Sequence, residues 1–236
     1  HAEFGRRMAG APADAIVIEA AGVVAPGFVD GHAHLLMAGN SLLQAQLRAC
    51  TSIDDIAAEL IAWRERHPEA TRVLGLGWLF TAVPDAVPTR RLLDAIVPDV
   101  PVYLHAADLH SVWVNTLALD EMGIDDDTPD PVGGSIVRDA DGRATGLLLE
   151  TAAIEHAWPL VNVGSADEED RWLRAIVDAY LAAGTTTAVD MALDESGLAA
   201  LDRAMEGDGL PFTVVGHWIV LRTGDTWVVE RNGLTL

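Results

Sequence analysis

Apolar positions recur along the chain with two periods, and the switches between them mark its elements. The run Ala15 to Glu19, followed by Val23 to Val29 broken at Pro26-Gly27, reads as two short strands feeding a third, with Phe28-Val29 heading into Asp30. Ser52-Ile-Asp-Asp55 has the spacing of a capping box, and Ile53, Ile56, Leu60 and Trp63 behind it share one helical face. Val73 to Trp78 predicts a strand, Thr89 to Ile96 a helix, Pro101 to His105 a buried strand, and Ser111 to Met122 a second helix. Asp125 to Gly134 is an acidic Pro/Gly loop, and Ser135 to Leu149, with Asp141-Gly142 at its middle, predicts a hairpin. Ser165-Ala-Asp-Glu168 opens a helix that carries Trp172, Leu173, Ile176, Val177 and Tyr180 on one face and places Gly184 where a helix stops. Thr185 to Asp190 reads as a strand, Glu195 to Met205 as a helix, and Phe212 to Val220 as a strand; the alternating apolar residues after Arg222 receive no placement. Strand and helix in alternation predict parallel α/β architecture, either an open doubly wound sheet or a barrel.

Composition narrows the function classes. A chain of 236 residues, half hydrophobic and 22 % charged, has the length and make-up to bury a sizeable core. Its 15 basic and 36 acidic residues leave a net charge of −21, a field that repels phosphate backbones and anionic lipid, so no nucleic-acid or membrane partner is expected. No run approaches the ~20 apolar residues of a membrane span, and His1 to Arg7 lacks the apolar core of a signal peptide. With Cys50 as the one cysteine, a small packed residue by expectation, these features predict a cytoplasmic address. Gly75-Leu-Gly77 is half a dinucleotide fingerprint placed before an aromatic residue, which argues against an open-sheet oxidoreductase with a nicotinamide cofactor.

The chemistry concentrates at His32-Ala-His34, which follows Phe28-Val29-Asp30, read as a buried strand, through Gly31. Residues two apart on extended backbone point the same way, so both imidazoles can reach one cation at about 2.0 to 2.1 Å. A His-x-His pair alone also suits surface or satisfied core histidines. Asp30 is placed to take an imidazole N–H, or to sit as a turn residue facing solvent.

Ala25-Pro-Gly-Phe-Val-Asp-Gly-His-Ala-His-Leu35 resembles the first-strand signature of the amidohydrolase superfamily, closest to the amidohydrolase-3 branch with its N-substituted formamide deformylase-like hydrolases. Gly75-Leu-Gly-Trp78, His110-Ser-Val-Trp-Val-Asn-Thr-Leu-Ala-Leu119, the stretch from Gly133 to Gly146, Leu149-Glu150-Thr-Ala and Gly184-Thr-Thr-Thr-Ala-Val-Asp190 continue the likeness in the same order, over roughly residues 15 to 215.

The resemblance implies a (β/α)8 TIM-type barrel, here a partial one over residues 26–236 with a hairpin insertion near 133–150, and a β-sandwich remnant over residues 1–25. It implies a divalent metal, usually zinc, that activates water to hydrolyse a C–N bond of a small amide-type substrate, and it leaves room for a homo-oligomer. His32 and His34 match the paired ligands, and Glu150 the carboxylate used as ligand or bridge; a turn-capping carboxylate is the competing reading. Without any lysine in the sequence, the carboxylated lysine of other branches has no counterpart. His110 and Asn115 match the family's histidine and helix-borne asparagine, with His110 lining the pocket or bonded to backbone. Asp190 is a candidate pocket carboxylate, and His217 is a weaker match to a ligand. His67 and His156 are expected to be exposed beside helices, and His1 and His105 have no assigned partner.

Two further histidines and a general-base aspartate of the superfamily are missing, and a full (β/α)8 barrel takes about 250 residues. The chain therefore reads as part of a longer amidohydrolase or as a decayed relative, with weak or no turnover by itself. The alternative function is a catalytically inactive α/β protein with a ligand-binding or assembly role.

Overall fold

The computed structural model describes residues 12, 22–207, 209–217, 220–223 and 226–229, and their strands form two larger sheets and a two-stranded hairpin. The expected strand at Ala15 to Glu19 lies outside the described residues, as does nearly all of the sandwich remnant at 1–25, and residues 22–27 are not strand.

The first sheet is parallel and has three strands in the order β1 (Phe28–Ala33), β8 (Thr185–Asp190), β9 (Thr213–Gly216). Helices α1 (Leu35–Leu43), α6 (Ala166–Ala182) and α7 (Glu195–Glu206) belong to the same unit. Side chains alternate across a strand, and Ala188 is sealed in a core with Ala33, Leu35, Leu173, Ile176, Val177 and Leu201. The other face of the sheet has no such cover among the described residues: Val29 is 63 % exposed and Val215 47 %. Sequence reading made β1 a buried strand because its residues are apolar; among the described residues it pairs only with β8 and is open to solvent at Phe28 and Val29. Helix α6 begins at the capping box of Ser165 and Glu168 and lies along α1, where Gly39 meets the backbone of Trp172 so closely that a Cβ would overlap it.

Between α1 and α6 lies a second sheet with strand order β2-β3-β4-β5-β7-β6. Strands β2 (Ala45–Gln46), β3 (Val73–Trp78) and β4 (Val102–Ala106) run parallel, whereas β5 (Ser111–Val114), β7 (Ala144–Glu150) and β6 (Gly134–Arg138) join in antiparallel pairings. One face packs on α2 (Ile53–Arg66) and α3 (Arg90–Ile96) through Ile56, Leu60, Trp63 and Leu93. The opposite face packs on α4 (Thr116–Met122) and on α5, which comprises a π-turn Ala153–Ala157 running into Trp158–Val161. Strands expected as successive barrel units thus form a mixed sheet of their own, and no barrel closes among the described residues. What stands is a mixed α/β fold with a parallel sheet and helices.

Ser111–Val114 is a strand where the sequence predicted helix. All four residues are buried, and a short apolar run has no period that separates the two states. The helix begins one residue after Asn115, its N-cap. That side chain is fully buried and satisfied: Oδ1 accepts from the Ala118 and Val102 N–H groups, both at 3.0 Å, and Nδ2 donates to the carbonyls of Val97 at 3.2 Å and Val100 at 2.9 Å. Asn115 therefore ties α4, β4 and the α3–β4 connection together. The strand expected from Phe212 to Val220 is shorter: β9 ends at Gly216, and an antiparallel hairpin β10 (Val220–Thr223) and β11 (Thr226–Val229) follows.

Candidate metal centre at the end of strand β1

The row Ala33–Asp190–Gly216 aligns the C-terminal ends of the three parallel strands. At such ends side chains and loops converge, which is where α/β sheets build their sites. His32 and His34 occupy that end on β1, with ring centroids 5.4 Å apart and planes at 78°. Two imidazoles on one tetrahedral cation, with N–metal bonds of about 2.0 to 2.1 Å, place their centroids about 5 Å apart. The pair fits as two donors to one divalent ion. Among the described residues no group of three or more His, Cys, Asp or Glu side chains joins them.

Asp30, expected to take an imidazole N–H or to face solvent as a turn residue, accepts the backbone N–H of His32 at 3.0 Å and the hydroxyl of Tyr180 at 2.6 Å. The Tyr180 bond, then the His32 N–H, hold its carboxyl below the usual aspartate range. Burial and the same bond push the Tyr180 phenol up to about 12.

Asp190 is 4 % exposed and borders a cleft at this end of the sheet, with one backbone N–H on each carboxylate oxygen. Its Oδ2 accepts from Leu35 N–H at 2.9 Å and Oδ1 from Ala192 N–H at 3.0 Å, so the carboxylate sits on the N-terminus of α1, where negative charge is favoured. Its carbonyl accepts the His217 N–H at 2.7 Å, which brings His217, an exposed residue, to the same end of the sheet. A cleft of about 130 Å³ lies beside this end, bordered by His34, Met37, Asn40, Asn162, Trp172 and Ser196.

Glu150 and His110 stand elsewhere, at the junction of β5 and β7. His110 Nδ1 is 3.0 Å from Glu150 Oε2, and the side chains are 66 % and 59 % exposed. The pair is held by backbone that few side chains favour: Leu109 has φ 62° and Glu150 φ 52°. Asp108 takes the N–H groups of His110 and Ser111, and Glu150 N–H donates to the His110 carbonyl at 2.8 Å. Glu150 thus faces His110 and does not complete the imidazole pair among the described residues.

The remaining described histidines have local duties, and His1 lies outside the described residues. His67 ends α2 and stacks on Trp63 at 4.3 Å, with Nδ1 2.8 Å from the Trp63 carbonyl. His156 is half-buried in the π-turn, and His105, half-buried on β4 near Trp158, has its imidazole pKa pushed down by burial. Sequence reasoning missed Tyr180, whose helical period marked it as core and gave no hint of a partner 150 residues away.

Residues 17–233 match the amidohydrolase family. The chain is 38 % identical over 168 residues to the putative amidohydrolase YtcJ of Bacillus subtilis, covering 67 % of this chain and 32 % of that protein. It is 34 % identical over 224 residues to the N-substituted formamide deformylase of Arthrobacter pascens, covering 88 % of this chain and 40 % of that one. A metal-dependent hydrolase from Pyrococcus horikoshii superposes with a TM-score of 0.64 at 26 % identity, over 81 % of this chain and 36 % of that structure. The chain spans between about a third and two fifths of the length of these relatives. With the family matched over nearly its whole length, and with paired imidazoles where its first strand ends, this chain belongs to the amidohydrolase family.

Proposed function

We propose that the chain serves a metal-dependent hydrolase that cleaves an amide-type C–N bond of a small molecule. The observation that carries this reading is the imidazole pair: two rings at the C-terminal end of a parallel sheet, spaced as one cation would space them. The likeness to a formamide deformylase and to metal-dependent hydrolases supports the bond type and the metal.

His32 and His34 would hold the ion, and an imidazole donor set suits zinc among other divalent metals. When bound, such an ion supplies a lowered water pKa and a polarised substrate carbonyl. Asp190 fixes the start of α1 and with it the backbone that carries His34. Glu150 would serve as the third donor only by leaving His110, which holds its carboxylate among the described side chains. His110 Nδ1 lies 3.0 Å from Glu150 Oε2, and a histidine oriented by a carboxylate suits the role of proton carrier we assign it. A closed hydrolytic site requires three protein donors and a base, and the imidazole pair supplies two donors.

Metal analysis tests this reading. The chain should bind zinc at one equivalent, and the double variant His32→Ala, His34→Ala should bind none. Amide hydrolysis by the 236-residue chain should be weak even with zinc added; a folded chain that takes up no zinc would instead favour the ligand-binding reading, which the pairing of Glu150 with His110 away from the imidazoles also suits.

A further inference from the structure

The end of β1 has one residue more than its neighbour, and that surplus decides where the imidazoles point. From Asp30 to Ala33 strand β1 advances three residues while β8 advances two, from Ala188 to Asp190. In a regular strand positions 30 and 33 would face opposite sides of the sheet. Here both face the helices: Asp30 reaches Tyr180 on α6, and Ala33 is 4 % exposed in the helix-covered core. Such bulges re-aim side chains next to active sites. With Ala33 turned inward, His32 and His34 on either side of it turn outward, and both are exposed. Without the extra residue, the alternation would turn both rings toward the helix-covered face.

Two hydrogen bonds hold this bulge, and they share one carboxylate. Asp30 Oδ1 accepts the N–H of His32, inside the bulge, and Oδ2 accepts the hydroxyl of Tyr180. The Tyr180 ring is itself stacked on Phe212, with centroids 5.5 Å apart and planes at 15°. We propose that Tyr180 is a positioning residue for the metal donors: through Asp30 it locks the bulge that turns His32 and His34 toward a common cation. This rests on the reading of His32 and His34 as metal donors. Loss of the hydroxyl frees the Asp30 carboxylate to rotate into solvent, removes the fixed partner of the His32 N–H, and lets the spacing of the two rings relax.

The test uses Tyr180→Phe, which keeps the stacked ring, with Co²⁺ as the probe. Isothermal titration should show Co²⁺ binding about tenfold weaker than wild type, the usual size for a group acting through a ligand's support. The visible absorption of bound Co²⁺ should change as its donors shift, while the far-UV circular dichroism stays that of wild type. Asp30→Ala should weaken binding at least as much, and Tyr180→Phe added to Asp30→Ala should cost nothing more, as expected for one relay. Wild-type affinity and absorption in Tyr180→Phe, or losses that add in the double variant, would overturn the relay while leaving the metal reading intact. A wild-type chain that binds no Co²⁺, or a His32→Ala, His34→Ala variant that binds it unchanged, overturns both.

Discussion

Replacing Asn115 by Ala should destabilise the six-stranded sheet without changing metal uptake, because this side chain is a structural knot. The substitution removes four hydrogen bonds at a site with no water access. Loss of the cap to Ala118 costs about 1 kcal/mol. The Val102 N–H, buried at the start of β4, loses this partner at about 1–3 kcal/mol. The Val97 and Val100 carbonyls each lose a donor, a smaller loss because buried carbonyls tolerate under-satisfaction better than N–H groups do. The sum is about 3 kcal/mol, equivalent to about 6–12 °C in melting temperature for a chain of this size. Urea unfolding followed by tryptophan fluorescence reads the change, since Trp113 lies two residues away and packs on Trp78 at 5.3 Å. Hydrogen exchange should quicken at the Val102 and Ala118 amides first. A loss below about 1 kcal/mol, or unchanged protection at those two amides, would refute the reasoning.

Other expectations follow from single groups. Glu121 is held below the ordinary glutamate range, first by its bond to Arg72, and it also accepts from Tyr103 Oη at 2.7 Å. Its folded value being depressed, its contribution is present above the unfolded value of about 4.3 and is lost as pH falls through the folded one; the stability gap between wild type and Glu121→Gln should therefore close between pH 5 and pH 2 in acid titrations by circular dichroism, and a gap independent of pH would contradict it. Gly146 has φ 93°, and a Cβ there would overlap the Val114 carbonyl, so Gly146→Ala should cost more than about 2 kcal/mol; a melting temperature equal to wild type would show that the strand can shift away.

Elements with local instructions were legible in the sequence. The capping boxes at Ser52 and Ser165 start helices, Val73–Trp78 is a strand to the residue, and Asp141-Gly142 lies in the turn between β6 and β7. Sheet membership was not, because it depends on pairings between distant segments: β1 and β8 join residues 28–33 to 185–190 across the whole of the second sheet. The buried run Ser111–Val114 is too short, with Ser111 its one polar residue, to reveal a period, and the start of the helix lies at Asn115, whose N-cap role was not read from the sequence. At the site, the motif around His32 and His34 was readable because its geometry is two residues long. The companions of those rings were not, since Asp30 and Tyr180 meet over 150 positions and a strand irregularity cannot be seen in one strand alone.

The two helices that bracket the second sheet, α1 and α6, already touch where Gly39 lies on the backbone of Trp172. Everything between them therefore departs from and returns to nearly one point, as an elaborated loop does. A change in the length of that excursion thus need not disturb the pairing of β1 with β8 or the backbone that carries His32 and His34.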